Sequence, residues 1–127
     1  EFDFPVFVMN NPKRKDRKAH MKTFLASLGF VNVSFPESDS SDSLNISRLV
    51  ETGWVGKDAV KTITEDHHKG PGAVIPHIAN AVAHIRAVHA CVEGSYTHCL
   101  VVEDDLMFTT SPRGANRQIM RSLSELP

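Results

Sequence analysis

The chain has 127 residues, 41% of them apolar and 23% charged, one domain's worth and long enough to bury roughly two thirds of its unfolded surface. Its net charge is −1, from 14 basic and 15 acidic residues, which argues against a general nucleic-acid binder. No stretch approaches the roughly 18 to 20 consecutive apolar residues of a membrane span, and two cysteines cannot make a disulfide scaffold.

Val6–Met9 is a short apolar run followed at once by Asn10-Asn11-Pro12, the pattern of a buried strand stopping on a polar turn. Phe4–Met9 is too short for a signal peptide, is broken by Pro5 and has no basic residues before it. Asn11 is the expected cap of a first helix, with Pro12 at its first position. Met21, Phe24, Leu25 and Leu28 fall on one helical face, and Gly29 is the expected left-handed cap. Val31, Val33 and Phe35 then alternate with polar residues as a second strand. Strand, helix and strand in this order open a parallel α/β fold.

Residues 36–43 (PESDSSDS) form a loop by composition. Leu44–Val50 is expected as a short helix capped by Asp42 or Ser43. Gly53–Gly72 is weakly patterned, with one short helix expected near Ala59–Ile63, and 64–75 reads as a loop. Pro76 reopens a strong helix, with Ile78, Val82, Ile85, Val88, His89 and Val92 as its expected buried stripe and Gly94 as its end. Cys99–Val102 is an apolar strand. Ser111-Pro112 breaks the chain, and Arg117–Leu126 is helical, with Ile119, Met120, Leu123 and Leu126 at helical spacing. The chain lacks an initiator Met and stops just after a helical pattern, so it is read as a single domain over 1–127 or a piece of one.

The sharpest chemical feature is Glu103-Asp104-Asp105, three carboxylates at the end of a charge-free strand. Adjacent acids repel one another and want a compensating cation. Hard ions such as Mg²⁺ and Mn²⁺ prefer carboxylate oxygens, and open α/β sheets bind ligands at the carboxyl ends of their strands. A solvated acidic turn is the plain alternative. Alternation would put Glu103 and Asp105 on one side and Asp104 on the other, as far as the strand persists. The junction Met9–Pro12 is a second candidate, because a strand running into a helix N-terminus suits a nucleotide. Neither GxGxxG nor GxxxxGK[ST] occurs, which argues against a dinucleotide domain or P-loop enzyme. A third is the basic run Lys13–Lys18, whose charge opposes the helix dipole and would attract an anion, with a solvated helix face as the plain reading of most of its residues. Within it Arg17, four residues before Met21, is placed to reach a phosphate or a carboxylate.

His84 on the long helix reads first as a satisfied helix-side histidine. His67 and His68 read as exposed loop histidines, and His77, His84 and His89 lack the spacing of a helical zinc pair. Cys91 and Cys99 read as buried free thiols rather than a bridge. Asn45-Ile46-Ser47 is a glycosylation sequon, meaningful on a secretory route.

Three blocks, in order, resemble the first half of a family 25 glycosyltransferase, the group that includes lipooligosaccharide and procollagen galactosyltransferases. The first is Val8-Met9-Asn10-Asn11 with Asp16-Arg17, Met21, Phe24 and Gly29. The second is Ala83-His84-Ile85 within Asn80–Val88. The third is Val101-Val102-Glu103-Asp104-Asp105-Leu106-Met107-Phe108. Together they cover most of Val6–Phe108. Ala83 stands where the family has Ser, Asn11 where it has Leu, and residues 39–72 do not align well.

The resemblance implies a Rossmann-like GT-A fold, a mostly parallel sheet flanked by helices, and a UDP-sugar donor with a glycan or glycoprotein acceptor. It implies a Mn²⁺ or Mg²⁺ cofactor held by Glu103 and Asp105, in the manner of a DxD motif. Asn10, Arg17, His84 and Asp104 would lie at the donor, and no residue is assigned as catalytic base. A bacterial member would be cytoplasmic, a eukaryotic one lumenal. Two other readings stand beside it: a non-catalytic or degenerate GT-A-like binding module, and another metal-dependent phosphoryl-transfer or hydrolase domain.

Overall fold

The computed structural model describes residues 2–58, 61, 65 and 71–126, and at 71–74 the backbone alone. The expected helix near Ala59–Ile63 and the pair His67-His68 therefore lie largely outside the described residues. Three parallel strands, β1 (Val6–Met9), β2 (Val33–Ser34) and β3 (Leu100–Glu103), form a sheet in the order β2-β1-β3. Helices with bounds within the described residues accompany them: α1 (Lys15–Ser27), α2 (Ile46–Glu51), α3 (Pro71–Glu93) and α4 (Pro112–Ser124). The molecule is thus a small α/β domain compatible with a Rossmann-like fold. Among the described residues, no helix is long and apolar enough to cross a membrane.

The central strand is buried on both faces, as its uninterrupted apolar run requires. Val6 and Val8 point to one face, where they meet Met21, Leu25 and Leu28 of the α1 region and Ala115 of α4. Phe7 and Met9 point to the other, against Ala87 of α3. Burying each such large side chain stabilises the fold by about 1.5–3 kcal/mol. A satellite cluster of Leu49, Ile78 and Val82 fastens α2 to α3.

Helix α1 ends as its sequence predicts. Gly29 takes φ 92°, its N–H donates to the Ala26 carbonyl, and the Phe30 N–H donates to the Leu25 carbonyl. That pair of bonds is a Schellman closure, and Phe30 packs in the same cluster as Leu25. The start of α1 differs from expectation. Asn11 accepts at Oδ1 from Lys13 N–H, and the Arg14 N–H donates to the Asn11 carbonyl. Asn11 and Pro12 thus make a β-turn with proline at its second position, and the helix begins later, at Lys15.

Other boundaries move for similarly local reasons. Asn45, rather than Asp42 or Ser43, caps α2 through Oδ1 to the Arg48 N–H, while Ser43 closes a turn back to Ser40. Ser111 does not merely break the chain: it caps α4, with Pro112 in the first turn. Helix α3 starts at Pro71, inside the expected loop 64–75. Pro76 lies inside it, in the second turn, where it has no N–H to donate to the preceding turn.

One expectation about α3 holds only in part, its stripe being buried at Ile78 and Val82 but not beyond, and one is overturned. Ile85, Val88 and Val92 are 46%, 55% and 71% exposed, and among the described side chains of the helix the buried ones are Ile78, Val82 and Ala87. The helix turns its small residues Ala83, Ala87 and Ala90 to the sheet, which lets the backbones approach closely, and leaves Ile85, Val88 and Val92 outside. Cys91 and Cys99 are joined in a disulfide, with Cα atoms 6.1 Å apart. The turn after α3 reverses the chain, so Cys99 arrives opposite the last helical turn within bridging range.

Candidate functional site at the strand ends

Helix α1 leaves β1 on one face of the sheet, and α3 covers the other face before the chain returns as β3. Strand order therefore reverses between β1 and β3, and the carboxyl ends of those strands open into a crevice. A cleft of about 260 Å³ lies there. Its walls include Met9, Asn10 and Asn11 from the β1 end, Arg17 from α1 and Glu103, Asp104 and Asp105 from the β3 end. Asn80 and Ala83 of α3 and residues Ser38, Asp39 and Ser41 also line it.

Asp104 is the anchor of this arrangement. It is only 8% exposed. Its Oδ2 accepts from Asn10 Nδ2 at 2.7 Å and its Oδ1 from Arg17 at 2.9 Å. A buried carboxylate needs such partners, because an unpaired one would carry a large desolvation cost. Asn10 is also buried. Its amide donates a second bond to the Arg14 carbonyl, and its own carbonyl accepts from the Ser38 hydroxyl at 2.5 Å. One asparagine thus ties the β1 end to the start of α1, to the β3 end and to the loop after β2.

Glu103 and Asp105 sit differently. Register pairs Glu103 with Met9, so it faces α3, where His84 Nε2 approaches its Oε1 at 3.3 Å. Strand alternation holds through Asp104, which faces α1. It fails at Asp105, because β3 ends at Glu103: Asp105 turns to the Arg17 side, 3.8 Å from its guanidinium. Both side chains are more than half exposed. Among the described residues no three His, Cys, Asp or Glu side chains group into a ready metal cage.

The basic start of α1 is partly answered by its own surroundings. Lys13 bonds Asp42 on the loop after β2, and this donor holds the Asp42 carboxyl below its ordinary range. Arg14 makes a two-pronged bond to Asp16, which lowers Asp16 and raises Arg14. Lys18 and Lys22 lie over the Phe35 ring.

The residues named from sequence therefore converge: Asn10, Arg17, Glu103, Asp104 and Asp105 all line one cleft, and His84 touches it through Glu103. Ser38, Asp39 and Asn80 were not foreseen. Their only sequence signal is a polar loop and one asparagine on a helix, and neither says where in space it lies. Asp39 is fixed by Arg86 at 3.0 Å, and Arg86 in turn lies over Trp54. In comparisons with known proteins, no family model, curated protein or solved structure matches this chain.

Proposed function

We propose that the cleft holds the diphosphate of a nucleotide sugar, with UDP-galactose the first candidate, and that the protein is a divalent-metal-dependent glycosyltransferase of GT-A type. The sugar would pass to a hydroxyl of a glycan or glycoprotein acceptor. The observation that carries this reading is the division of labour within the acid triplet. Arg17 and Asn10 neutralise and bury Asp104, which leaves Glu103 and Asp105 at the cleft with exposed oxygens.

Two carboxylates do not fill the shell of a Mg²⁺-like ion, but such ions characteristically take one or two carboxylates and complete the shell with substrate phosphates and water. The donor set fits that pattern, with Glu103 and Asp105 as the holding residues. The ion would supply Lewis-acid stabilisation of the charge that grows on the leaving diphosphate. Asp104 holds the end of β3 at the strand junction, Arg17 adds positive charge beside it, and Asn10 fixes the β1 end against both. His84, by pairing with Glu103, positions that carboxylate.

Isothermal titration of the chain with UDP and UDP-galactose, with and without Mn²⁺, tests this. Binding should require the metal and be lost in Asp105→Ala and Glu103→Ala. No binding by a demonstrably folded chain overturns the reading. Binding of equal strength without metal would favour a nucleotide-binding module instead, a reading suited to the present pairing of both carboxylates with Arg17 and His84.

A further inference from the structure

Two asparagines stand in the Asn-X-Ser pattern: Asn45-Ile46-Ser47, and also Asn32-Val33-Ser34, which lies at the start of β2. Both asparagines are exposed. Asn45 uses its amide oxygen to cap α2, whereas an N-linked glycan attaches through the amide nitrogen, so the two uses do not compete. A cavity of about 400 Å³ that Asn45 lines, with Thr52 and Trp54 among its other walls, gives a first sugar room beside an aromatic ring. Asn32 engages its neighbours through the backbone, its carbonyl accepting from Val6 N–H. Its strand β2 is an edge of the sheet, and a bulky polar group there shields an edge from pairing with other chains.

The disulfide supplies a second, independent observation. Structural disulfides form and persist in oxidising compartments, which include the lumen where asparagines in this pattern are glycosylated. We infer that Asn32 and Asn45 carry N-linked glycans, added in an oxidising secretory lumen that also closes Cys91–Cys99. In each transfer the amide nitrogen forms a bond to the anomeric carbon of an oligosaccharide. That carbon's bond to the diphosphate of a lipid-linked donor breaks, the amide loses a proton, and the lipid diphosphate leaves. Closing the disulfide removes two electrons and two protons from the thiols, which an oxidised dithiol partner in the lumen accepts. The inference does not depend on the glycosyltransferase reading.

The test is secretion of the full chain from cultured eukaryotic cells behind a cleavable leader, followed by peptide mapping before and after enzymatic release of N-glycans. Both asparagines should carry glycan, and the Cys91–Cys99 peptide pair should be linked before reduction. Asn32→Gln and Asn45→Gln should each remove one glycan, Ser47→Ala should act like Asn45→Gln, and Ser47→Thr should keep Asn45 modified. An unmodified asparagine in the secreted, folded chain overturns the inference at that position. Two unmodified asparagines, or free thiols at Cys91 and Cys99, overturn it altogether.

Discussion

At the scale of single residues, the three neighbouring acids have different physical assignments. Asp104 is a structural carboxylate: its two oxygens are taken by Asn10 and Arg17, and its burial leaves little room for water. Hydrogen bonds to charged groups contribute roughly 1.5–3 kcal/mol each, less where one partner regains water. Arg17 is 37% exposed and would be rehydrated once released. Asp104→Ala should therefore destabilise the fold by about 2 kcal/mol, read as a lower urea midpoint at unchanged slope. Asp105→Ala, at an exposed side chain, should stay within about 0.5 kcal/mol of the parent. Equal effects of the two substitutions would remove the distinction on which the proposed division of labour rests.

At the scale of elements, three helices close by the same device. In α1 and α2 the left-handed position is held by Gly29 and Gly53, at φ 92° and 78°. In α3 the helix ends at Glu93, and the left-handed residue is Ser95 at φ 54°, one place after Gly94. The bonds are the same: Ser95 N–H to the Val92 carbonyl and Tyr96 N–H to the Cys91 carbonyl. A side chain in this conformation costs on the order of 1 kcal/mol that glycine avoids. Ser95→Gly should thus stabilise the protein by about 0.5–1 kcal/mol, seen as a higher thermal midpoint. A lower midpoint would mean that the turn is not left-handed at that residue.

At the scale of the whole molecule, the central strand is pinned between two layers, and the disulfide clips the outer one to the sheet. Cys91 lies in the last turn of α3 and Cys99 just before β3, eight residues apart in sequence. Closing so short a loop restricts the unfolded chain by about 2.5 kcal/mol in the chain-entropy account. Replacing both cysteines by alanine should lower stability by about that amount in urea unfolding. Parent protein unfolded in the presence of a reductant should match the variant. A double variant as stable as the oxidised parent would show that helix packing alone holds α3 in place.

The sequence by itself determined the local pieces. An apolar run with no charge fixed β1 as a buried strand, Gly29 fixed the close of α1, and an acid triplet behind an apolar strand marked the β3 end as the candidate site. These are signals of composition and short-range spacing. Arg17 was also legible, because helical periodicity placed it beside the face that Met21 buries. Tertiary structure decided the rest. Helix α3 is apolar over most of its circumference, so periodicity could not say which stripe meets the sheet; close packing chose the alanines and left Ile85, Val88 and Val92 outside. The pairing of Cys91 with Cys99 needed the chain reversal after α3. The separation of Asp104 from its two neighbours needed Arg17 and Asn10, residues 87 and 94 positions away. Charge and hydrogen-bonding partners that distant meet only when β1 and β3 lie side by side.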